Sequence, residues 1–358
     1  MLKKTALIMA GGRGERFWPR SRKNLPKQFL SLTDDGRTMI QLTVDRILPI
    51  VDITDIYIST NKDYKELVRA QLPELPPENI VCEPIGRNTA PCIGLGAAFI
   101  TSKYEDALMI VLPSDHLCKQ TDEFVRILEK ACETAEAGEN LVTVGIKPDY
   151  PETGYGYIKM DKSKQLGDTF AVERFVEKPD IELARKYLAS GEYLWNSGMF
   201  IWKTSTILND MKRFIPNTYE GLVRIRASIG RSVQERVIHN IFPDFKSESI
   251  DYAIMEKADD IYVIPGDFGW DDGGSWLAVE RIKYNNADGN TISGKVVTYD
   301  THDTIIEATD KKLIATVGLK DLIIVDTEDA TLICSKEHSG DIKKILEKLR
   351  EDNMDIYL

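Results

Sequence analysis

The first half of the chain alternates short apolar runs with longer stretches in which apolar residues recur at helical spacing. The short runs are typical of buried strands, and the longer stretches of amphipathic helices. The predicted strands are Thr5–Ala10, Asp55–Ser59, Asn79–Cys82, Ala107–Leu112 and Leu141–Gly145. The predicted helices are Met39–Leu48, Asp63–Leu72, Thr89–Ser102 and Thr121–Ala137. This alternation predicts an α/β fold with a Rossmann-like, mostly parallel mixed sheet covered by helices.

The pattern changes after Pro148. Two more strands are predicted at Gly154–Ile158 and Phe170–Val176, followed by a series of helices and a turn at Pro265–Gly269. The helices are Ile181–Ser190, Thr204–Phe214, Tyr219–Ser228 and Ser232–Ile238. A loop rich in turn-forming residues follows at Asn285–Asn290, and we place a domain boundary there. The predicted domains are therefore 1–286 and 287–358.

The second predicted domain consists of short apolar strands and a closing amphipathic helix, Asp341–Arg350. The strands follow one another at intervals of about nine residues, which suits a β-solenoid, a sandwich or a meander. The spacing is too irregular to choose among these three. The strands are Lys295–Tyr299, Thr304–Glu307, Leu313–Val317, Leu322–Val325 and Ala330–Cys334.

Charge and cysteine content narrow the class of protein. The 358 residues include 46 basic and 57 acidic side chains, giving a net charge of −11. This balance argues against a protein that coats nucleic acid or an anionic membrane, and no apolar run is long enough to span a bilayer. The five cysteines are scattered without the spacing of a zinc site or disulfide framework. Cysteines without a disulfide framework are typical of a reducing compartment, so we expect a cytoplasmic protein, and the N-terminus shows no signal-peptide pattern.

A glycine-rich loop follows the first predicted strand. Gly11, Gly12 and Gly14 are interleaved with Arg13 and Arg16, and Lys27 follows in a Pro-Lys-Gln-Phe segment. Glycines allow backbone N–H groups to approach a bulky anion, and the cations would offset its charge, so the loop fits a polyphosphate. The spacing matches neither the dinucleotide nor the Walker pattern. A plain glycine turn with solvated arginines is the alternative.

Two acidic segments could hold a divalent cation. Asp115 directly follows a predicted buried strand, where ligands of open α/β sheets bind. Asp271 and Asp272 lie beside glycines and between two tryptophans. Mg²⁺ prefers one or two carboxylates together with substrate phosphate oxygens. The alternatives are a turn capped by Asp115 and a tight turn at the paired aspartates.

Three further segments carry groups suited to a nucleotide sugar, although each also has a purely structural interpretation. Glu177 and Lys178 could hold a sugar hydroxyl and a phosphate, or form a surface ion pair. Asn196 could bind a hydroxyl or support a turn. The segment Arg87–Pro91 could contact a base, or its Asn88 could cap the helix that follows.

Seven ordered motifs together resemble the sugar-nucleotide pyrophosphorylases, and among them the members that form GDP-mannose. The motifs are the Gly-Gly-x-Gly-x-Arg loop, Pro-Lys-Gln-Phe, Glu-Pro-x-x-Arg-Asn-Thr-Ala-Pro, Leu-Pro-Ser-Asp-His, Phe-Val-Glu-Lys-Pro, Trp-Asn-Ser-Gly-Met-Phe and Gly-Trp-x-Asp-x-Gly-Ser-Trp. The resemblance covers nearly the whole chain, including the stretch Ser249–Glu256 and the C-terminal strands. It implies a nucleotidyltransferase catalytic domain at 1–286 and a short left-handed β-helix at 287–358.

The resemblance also implies the reaction and the residues that carry it. GTP and mannose 1-phosphate would give GDP-mannose and pyrophosphate by direct displacement, with Mg²⁺ held by Asp115 and Asp272. The catalytic residues would be these two acids with Arg16 and Lys27. The implied nucleotide contacts are Ala10, Gly11, Gly12, Arg13, Gly14, Arg16, Lys27, Arg87, Asn88, Thr89, Ala90 and Ser114. The implied sugar and sugar-phosphate contacts are Gly156, Glu177, Lys178, Asn196 and Gly198. A homodimer is also implied.

Other functions remain compatible with the sequence. The same chemistry could use another sugar 1-phosphate with UTP or dTTP, and the fold could serve a non-catalytic regulatory subunit. A glycosyltransferase is disfavoured because Leu-Pro-Ser-Asp-His is not the Asp-x-Asp pattern that such enzymes use. Many bacterial relatives carry an additional isomerase domain, and we expect this chain to have no phosphomannose isomerase activity.

Overall fold

The computed structural model describes residues 1–309 and 311–358, which form two compact units. Unit 1 comprises Met1–Gly11, Thr43–Ser114 and Cys118–Trp270. Unit 2 comprises Gly12–Leu42, Asp115–Leu117 and Asp271–Leu358. The chain thus enters unit 2 in three separate segments, each of which contains residues of the predicted site.

The strands and helices are numbered in chain order. The strands are β1 Lys3–Ala10, β2 Ile56–Asn61, β3 Ile80–Glu83, β4 Ala107–Pro113, β5 Leu117–Cys118, β6 Leu141–Ile146, β7 Tyr157–Leu166, β8 Thr169–Val176, β9 Tyr193–Lys203, β10 Ile261–Gly266, β11 Trp270–Asp271, β12 Thr291–Ser293, β13 Val296–Tyr299, β14 Ile305–Glu307, β15 Ile314–Val317, β16 Leu322–Asp326 and β17 Thr331–Ser335. The α-helices are α1 Met39–Ile47, α2 Lys65–Gln71, α3 Thr89–Lys103, α4 Thr121–Ala137, α5 Ile181–Ser190, α6 Thr204–Phe214, α7 Pro216–Arg226, α8 Gln234–Ile241, α9 Trp276–Ile282 and α10 Ile342–Glu351.

Unit 1 is built on a nine-stranded sheet in the order β3-β2-β1-β4-β9-β6-β10-β8-β7. Its first four strands are parallel, with Ile8 of β1 opposite Ile58 of β2 and Leu112 of β4. β9 runs antiparallel to both β4 and β6, so the sheet is mixed. Helix α3 is buried along most of its length, and its apolar residues join those of the central strands in one core. The predicted α/β fold is confirmed.

The C-terminal part of unit 2 consists of strands that belong alternately to two sheets. β12, β14 and β16 pair in parallel, with β17 antiparallel at the edge, while β13 and β15 form a second parallel pair. A chain whose successive strands alternate between two sheets of parallel strands forms a β-solenoid. Of the three architectures that the strand spacing left open, the structure therefore has the solenoid and not the sandwich or the meander. Its core includes Ile305, Ile323 and Leu346, packed with Phe17 and Trp276.

Most predicted elements are present with small shifts at their ends, but two central strands were not predicted. β9 runs through the Trp195–Phe200 motif, which we treated only as a candidate site. β10 ends at Gly266, so its last two residues overlap the predicted turn Pro265–Gly269. Proline within a strand is unusual, because it donates no ladder hydrogen bond. The ladder between β10 and β8 is confined to Tyr262 and Val263, so Pro265 costs no hydrogen bond on that side.

The sequence analysis found no apolar run long enough to span a bilayer, and the helices of the structure can be compared with that prediction. Among residues 1–309 and 311–358, no helix is both long and apolar enough to cross a bilayer.

Candidate active site

Gly14 makes the tightest turn of the glycine loop in unit 2. Its φ of 61° lies in the left-handed region, and it precedes a short 3₁₀ helix, Glu15–Phe17. A Cβ on Gly14 would lie 2.3 Å from the Cβ of Lys27, which no side chain tolerates. Gly12 differs, because no described atom lies within 4 Å of a Cβ placed there. Gly14 is therefore required by close packing against Lys27, whereas Gly12 leaves open space beside the backbone.

Lys27 lies at the centre of a compact polar group with Asp115 and Asp272, which we call the Lys27 cluster. Its side chain is only 3% exposed. The ammonium donates hydrogen bonds to Asp115 Oδ2 at 2.9 Å, to the Asp115 carbonyl at 2.8 Å and to the Asp272 carbonyl at 2.9 Å. The structure thus brings together three residues that are distant in sequence, through oxygens that all contact one nitrogen.

The two carboxylates of the Lys27 cluster differ in their surroundings. Burial raises the pKa of Asp115, but the charges of Lys27 and His116 outweigh it, so the pKa lies below its ordinary value. Asp272 accepts a hydrogen bond from the backbone N–H of Gly274 at 2.9 Å. The neighbouring Asp271 instead forms a two-point ion pair with Arg281, at 2.5 and 3.1 Å. The carboxylate of Asp271 is therefore already paired with Arg281.

The oxygen atoms around Lys27 suit a hard divalent cation. They are one carboxylate oxygen of Asp115 and the backbone carbonyl oxygens of Asp115 and Asp272, and the buried ammonium already marks a position favourable to positive charge. Across the described chain, no group of three or more His, Cys, Asp or Glu side chains could hold a metal. Two carboxylates completed by phosphate oxygens is the arrangement that Mg²⁺ commonly adopts, so the residues present fit that ion.

The arginines of the loop divide into two groups. Arg13 and Arg16 are exposed, with Arg16 within 3.5 Å of the Gly274 carbonyl and Arg13 4.0 Å from Glu15. Arg20 pairs with Glu307 at 3.1 Å, and Arg22 with Asp329 at 2.7 Å. The first group is exposed to solvent and to a ligand, whereas Arg20 and Arg22 form closer ion pairs, and the sequence pattern alone did not separate the two groups.

In unit 1, the predicted base-binding segment begins helix α3. Asn88 has φ 67° and ψ −175°, a conformation rarely adopted outside glycine, and its side chain caps the Thr89 N–H at 2.8 Å. Thr89 Oγ1 accepts from the N–H of Ile250 at 2.8 Å, and Arg87 donates to the Pro243 carbonyl. Asn88 therefore caps helix α3, as the structural alternative predicted. Arg87 and Thr89 are also hydrogen-bonded to Pro243 and Ile250.

The remaining predicted nucleotide contacts of unit 1 lie at strand ends. Ala10 ends β1, and its carbonyl accepts from Thr60 Oγ1 at 2.8 Å. Gly11 follows it. Ser114 follows β4; it is buried, and its N–H bonds the Met9 carbonyl at 3.1 Å. Ala90, the last of these residues, lies in α3, and its N–H donates to the Glu248 carbonyl at 3.1 Å.

The predicted sugar-binding residues are neighbours within unit 1, and we call them the sugar cluster: Gly156, Glu177, Lys178, Asn196 and Gly198. A Cβ on Gly156 would lie 2.6 Å from Glu177 Oε2, the flexible end of that side chain, and 3.3 Å from the Cβ of Asn196. The Asn196 N–H donates to the Gly156 carbonyl at 2.8 Å, and Asn196 Oδ1 accepts from Gly198 at 3.1 Å. Lys178 pairs with Glu177 at 2.9 Å. These contacts link all five residues of the sugar cluster to one another.

Sequence reasoning missed one residue of this group, Asp251. Its Oδ1 accepts a hydrogen bond from Asn196 Nδ2 at 2.9 Å. Burial, reinforced by the negative charge of Glu177, raises the pKa of Asp251 to about 6. The only sequence signal was the Ser249–Glu256 stretch, to which we had assigned no role.

Comparison with known proteins agrees with this geometry. Residues 5–288 match the nucleotidyl transferase family, and residues 294–349 match the mannose-P isomerase/GMP-like β-helix domain. The chain belongs to the nucleotidyl transferase family. These matches confirm the family resemblance of the sequence motifs and the β-helix expected in the C-terminal part of this nucleotidyl transferase.

Named relatives resemble the nucleotidyl transferase over nearly its whole length. Mannose-1-phosphate guanylyltransferase of Escherichia coli is 41% identical over 354 residues, covering 97% of this chain and 73% of the relative. Xanthan biosynthesis protein XanB of Xanthomonas campestris is 40% identical, covering 96% and 73%. A crystal structure from Thermus thermophilus, described as mannose-1-phosphate geranyltransferase, superposes with a TM-score of 0.88 at 33% identity, covering 98% and 100%.

Proposed function

We propose that this nucleotidyl transferase is a mannose-1-phosphate guanylyltransferase, which converts GTP and α-D-mannose 1-phosphate into GDP-mannose and pyrophosphate. The observation that carries the proposal is the Lys27 cluster, where two acids and a cation gather beside a glycine loop that is open at Gly12. The names of relatives at about 40% identity supply the two substrates.

The chain's own charges address the main obstacle to this reaction, which is repulsion between two phosphate anions. Arg16 and Lys27 would bind the triphosphate, offset its charge and orient the α-phosphorus. Mg²⁺ held by Asp115 and Asp272 would supply further charge neutralisation when bound. Backbone N–H groups beside Gly12 can approach the phosphates because no side chain intervenes there.

Residues of unit 1 would bind the base and the sugar. The Asn88–Ala90 segment is rigidly held by its cap and by its bonds to residues 248–250, which suits recognition of a flat guanine. The sugar cluster offers a carboxylate and an amide for hydroxyl groups, and its exposed Lys178 suits the sugar phosphate. The separate family matches to residues 5–288 and 294–349 support the proposed domain boundary after residue 286.

The sugar phosphate would attack the α-phosphorus directly, with pyrophosphate leaving in line. Such a displacement requires positioning and charge neutralisation rather than an enzyme nucleophile. A guanylylated protein trapped in a single turnover with radiolabelled GTP would contradict this step.

The decisive experiment measures pyrophosphate release with Mg²⁺, each of four nucleoside triphosphates and several sugar 1-phosphates. We expect release only when a sugar phosphate is present, and fastest with GTP and mannose 1-phosphate. Preference for UTP or dTTP with glucose 1-phosphate would keep the chemistry but replace the substrates. No release with any pair would favour a non-catalytic subunit.

We also propose a cytoplasmic homodimer. All five cysteines are free thiols, as a reducing compartment would maintain them. Light scattering after size-exclusion chromatography measures the oligomeric state directly, and a monomeric mass would contradict the dimer.

A further inference from the structure

A carboxylate outside the predicted motifs borders the sugar cluster. Asp251 is the first residue of a π-helical turn, Asp251–Met255, in which the N–H of Glu256 bonds back to the Asp251 carbonyl at 2.9 Å. π-Helical turns are rare and occur frequently at functional sites. Asp251 is only partly buried, so a ligand can reach its carboxylate.

The hydrogen bonds of Asn196 show what Asp251 can do. The amide oxygen accepts from Gly198 at 3.1 Å and from Thr143 Oγ1 at 3.4 Å. The amide nitrogen donates one hydrogen to Asp251, and its second hydrogen has no acceptor within the described chain. Asn196 therefore faces a ligand as a donor, and acceptors for sugar hydroxyls must come from elsewhere.

Those acceptors are two carboxylates. Asp251 Oδ2 makes no hydrogen bond to another residue within the described chain, and Glu177 lies close enough for its charge to affect Asp251. The charged groups facing them are Lys178, which pairs with Glu177, and Glu256, which adds a third negative charge. Hydroxyl groups, which donate hydrogen bonds without adding charge, are the ligand groups best suited to two neighbouring carboxylates.

We propose that Asp251 is a specificity-determining residue of the sugar site, where its carboxylate accepts a hydrogen bond from a hydroxyl group of the bound hexose. Together with Glu177, it would recognise two hydroxyl groups of the ring and so distinguish hexoses that differ in the orientation of one. The inference rests on the proposed function, because it takes the sugar cluster as the site of the sugar.

Asp251 also lies next to the segment that links the sugar cluster to the base-binding segment. The N–H of Ile250 bonds Thr89, and the Glu248 carbonyl bonds Ala90. Residues 248–251 thus connect the two predicted parts of the nucleotide-sugar site within unit 1. A function restricted to holding this segment would affect the base as much as the sugar, and that difference can be measured.

The test compares the binding of GDP-mannose and GDP by calorimetry in the wild type, Asp251→Asn and Asp210→Asn. Asp210 is the matched control, since burial likewise raises its pKa to about 6 but it lies outside the sugar cluster. At pH 8 we expect Asp251→Asn to weaken GDP-mannose about 10- to 100-fold while GDP changes less than about two-fold. The preference for GDP-mannose over GDP-glucose should fall as well.

The pH dependence provides a second readout. In the free protein Asp251 is ionised above a pKa of about 6, so its contribution is present at pH 8 and lost as the pH falls through that value. GDP-mannose has no phosphate group that titrates there, unlike mannose 1-phosphate. The affinity of the wild type and of Asp210→Asn for GDP-mannose should therefore fall towards pH 5.5. The affinity of Asp251→Asn should stay nearly constant over the same pH range.

Each outcome separates this inference from the proposed function. If Asp251→Asn weakens GDP and GDP-mannose equally, or leaves both unchanged, the assignment is wrong even though the enzyme is a guanylyltransferase. If the wild type binds GDP-mannose no better than GDP and releases no pyrophosphate, the proposed function itself fails. Asp251→Glu, which retains the charge, should recover part of the affinity if Asp251→Asn proves poorly folded.

Discussion

Replacing Lys27 with methionine tests the electrostatics of the candidate active site. Methionine has a similar length and no charge, so it should fill the space of the lysine stem while leaving the three oxygens of Asp115 and Asp272 without their donor. The side chain is 3% exposed, and water cannot readily take the place of the ammonium.

The size of the effect follows from the exposure of the two partners. Removing one member of a fully buried ion pair costs about 3–5 kcal/mol. Asp115 is 34% exposed, however, so solvent screens the carboxylate left behind, and we expect a loss of about 1–3 kcal/mol. Turnover should fall at least about 100-fold, because the substituted side chain cannot bind phosphate.

Urea denaturation gives the free energy of unfolding, and its pH dependence checks the cause. The pKa of Asp115 is depressed in the folded wild type, so the ion pair stabilises fully above the unfolded value of about 3.9. That stability disappears as the pH falls through the lower folded pKa. The difference between wild type and Lys27→Met should therefore be largest near pH 7 and shrink below about pH 4.

Lys130→Met is the matched control, because Lys130 forms an exposed ion pair with Glu133 at 3.0 Å. It should cost less than about 0.5 kcal/mol. If Lys27→Met is as stable as this control at pH 7, or if its loss of stability is the same at pH 3 and pH 7, the electrostatic reasoning is refuted.

Two further predictions concern the same unit. Gly14→Ala should destabilise the protein by at least about 2 kcal/mol, because it adds a clash with Lys27 to the backbone strain. Gly36 has a similar φ but open surroundings, so Gly36→Ala should show the strain alone, and urea denaturation of both variants measures the difference. Asp272→Asn should reduce turnover by orders of magnitude, and Asp271→Asn, which loses only its pairing with Arg281, should stay within a few-fold of wild type in the pyrophosphate assay.

The sequence allowed the α/β class and most element positions to be predicted, because strand and helix periods are local. It could not place β9, whose motif reads as turn-forming residues, Trp195-Asn-Ser-Gly198, although tertiary pairing with β4 and β6 makes it a central strand. The loop arginines show the same limit. Arg20 and Arg22 look equivalent to Arg13 and Arg16 in the sequence, and only the fold supplies the acids that neutralise them.

The residues of the candidate site also differ in whether the sequence alone identifies them. Glu177 and Asn196 stood out because they lie in motifs, and the structure brings them together with Gly156 and Gly198. Asp251 lies 55 positions from Asn196 and draws its properties from that distant partner and from burial. A carboxylate whose chemistry comes from its neighbours has no signature of its own in a single sequence.

Lys27 shows how the structure changes an inference that the sequence supports. The sequence predicts a phosphate contact, yet all three ammonium hydrogens are already donated to oxygens of Asp115 and Asp272. Binding a phosphate therefore requires Lys27 to exchange at least one of these acceptors. Asp115 Oδ2 is the one charged acceptor of the three, so Lys27 could release either carbonyl and keep its ion pair with Asp115. A phosphate contact would therefore cost least where Lys27 releases a backbone carbonyl, since the charge-assisted hydrogen bond to the Asp115 carboxylate would then remain.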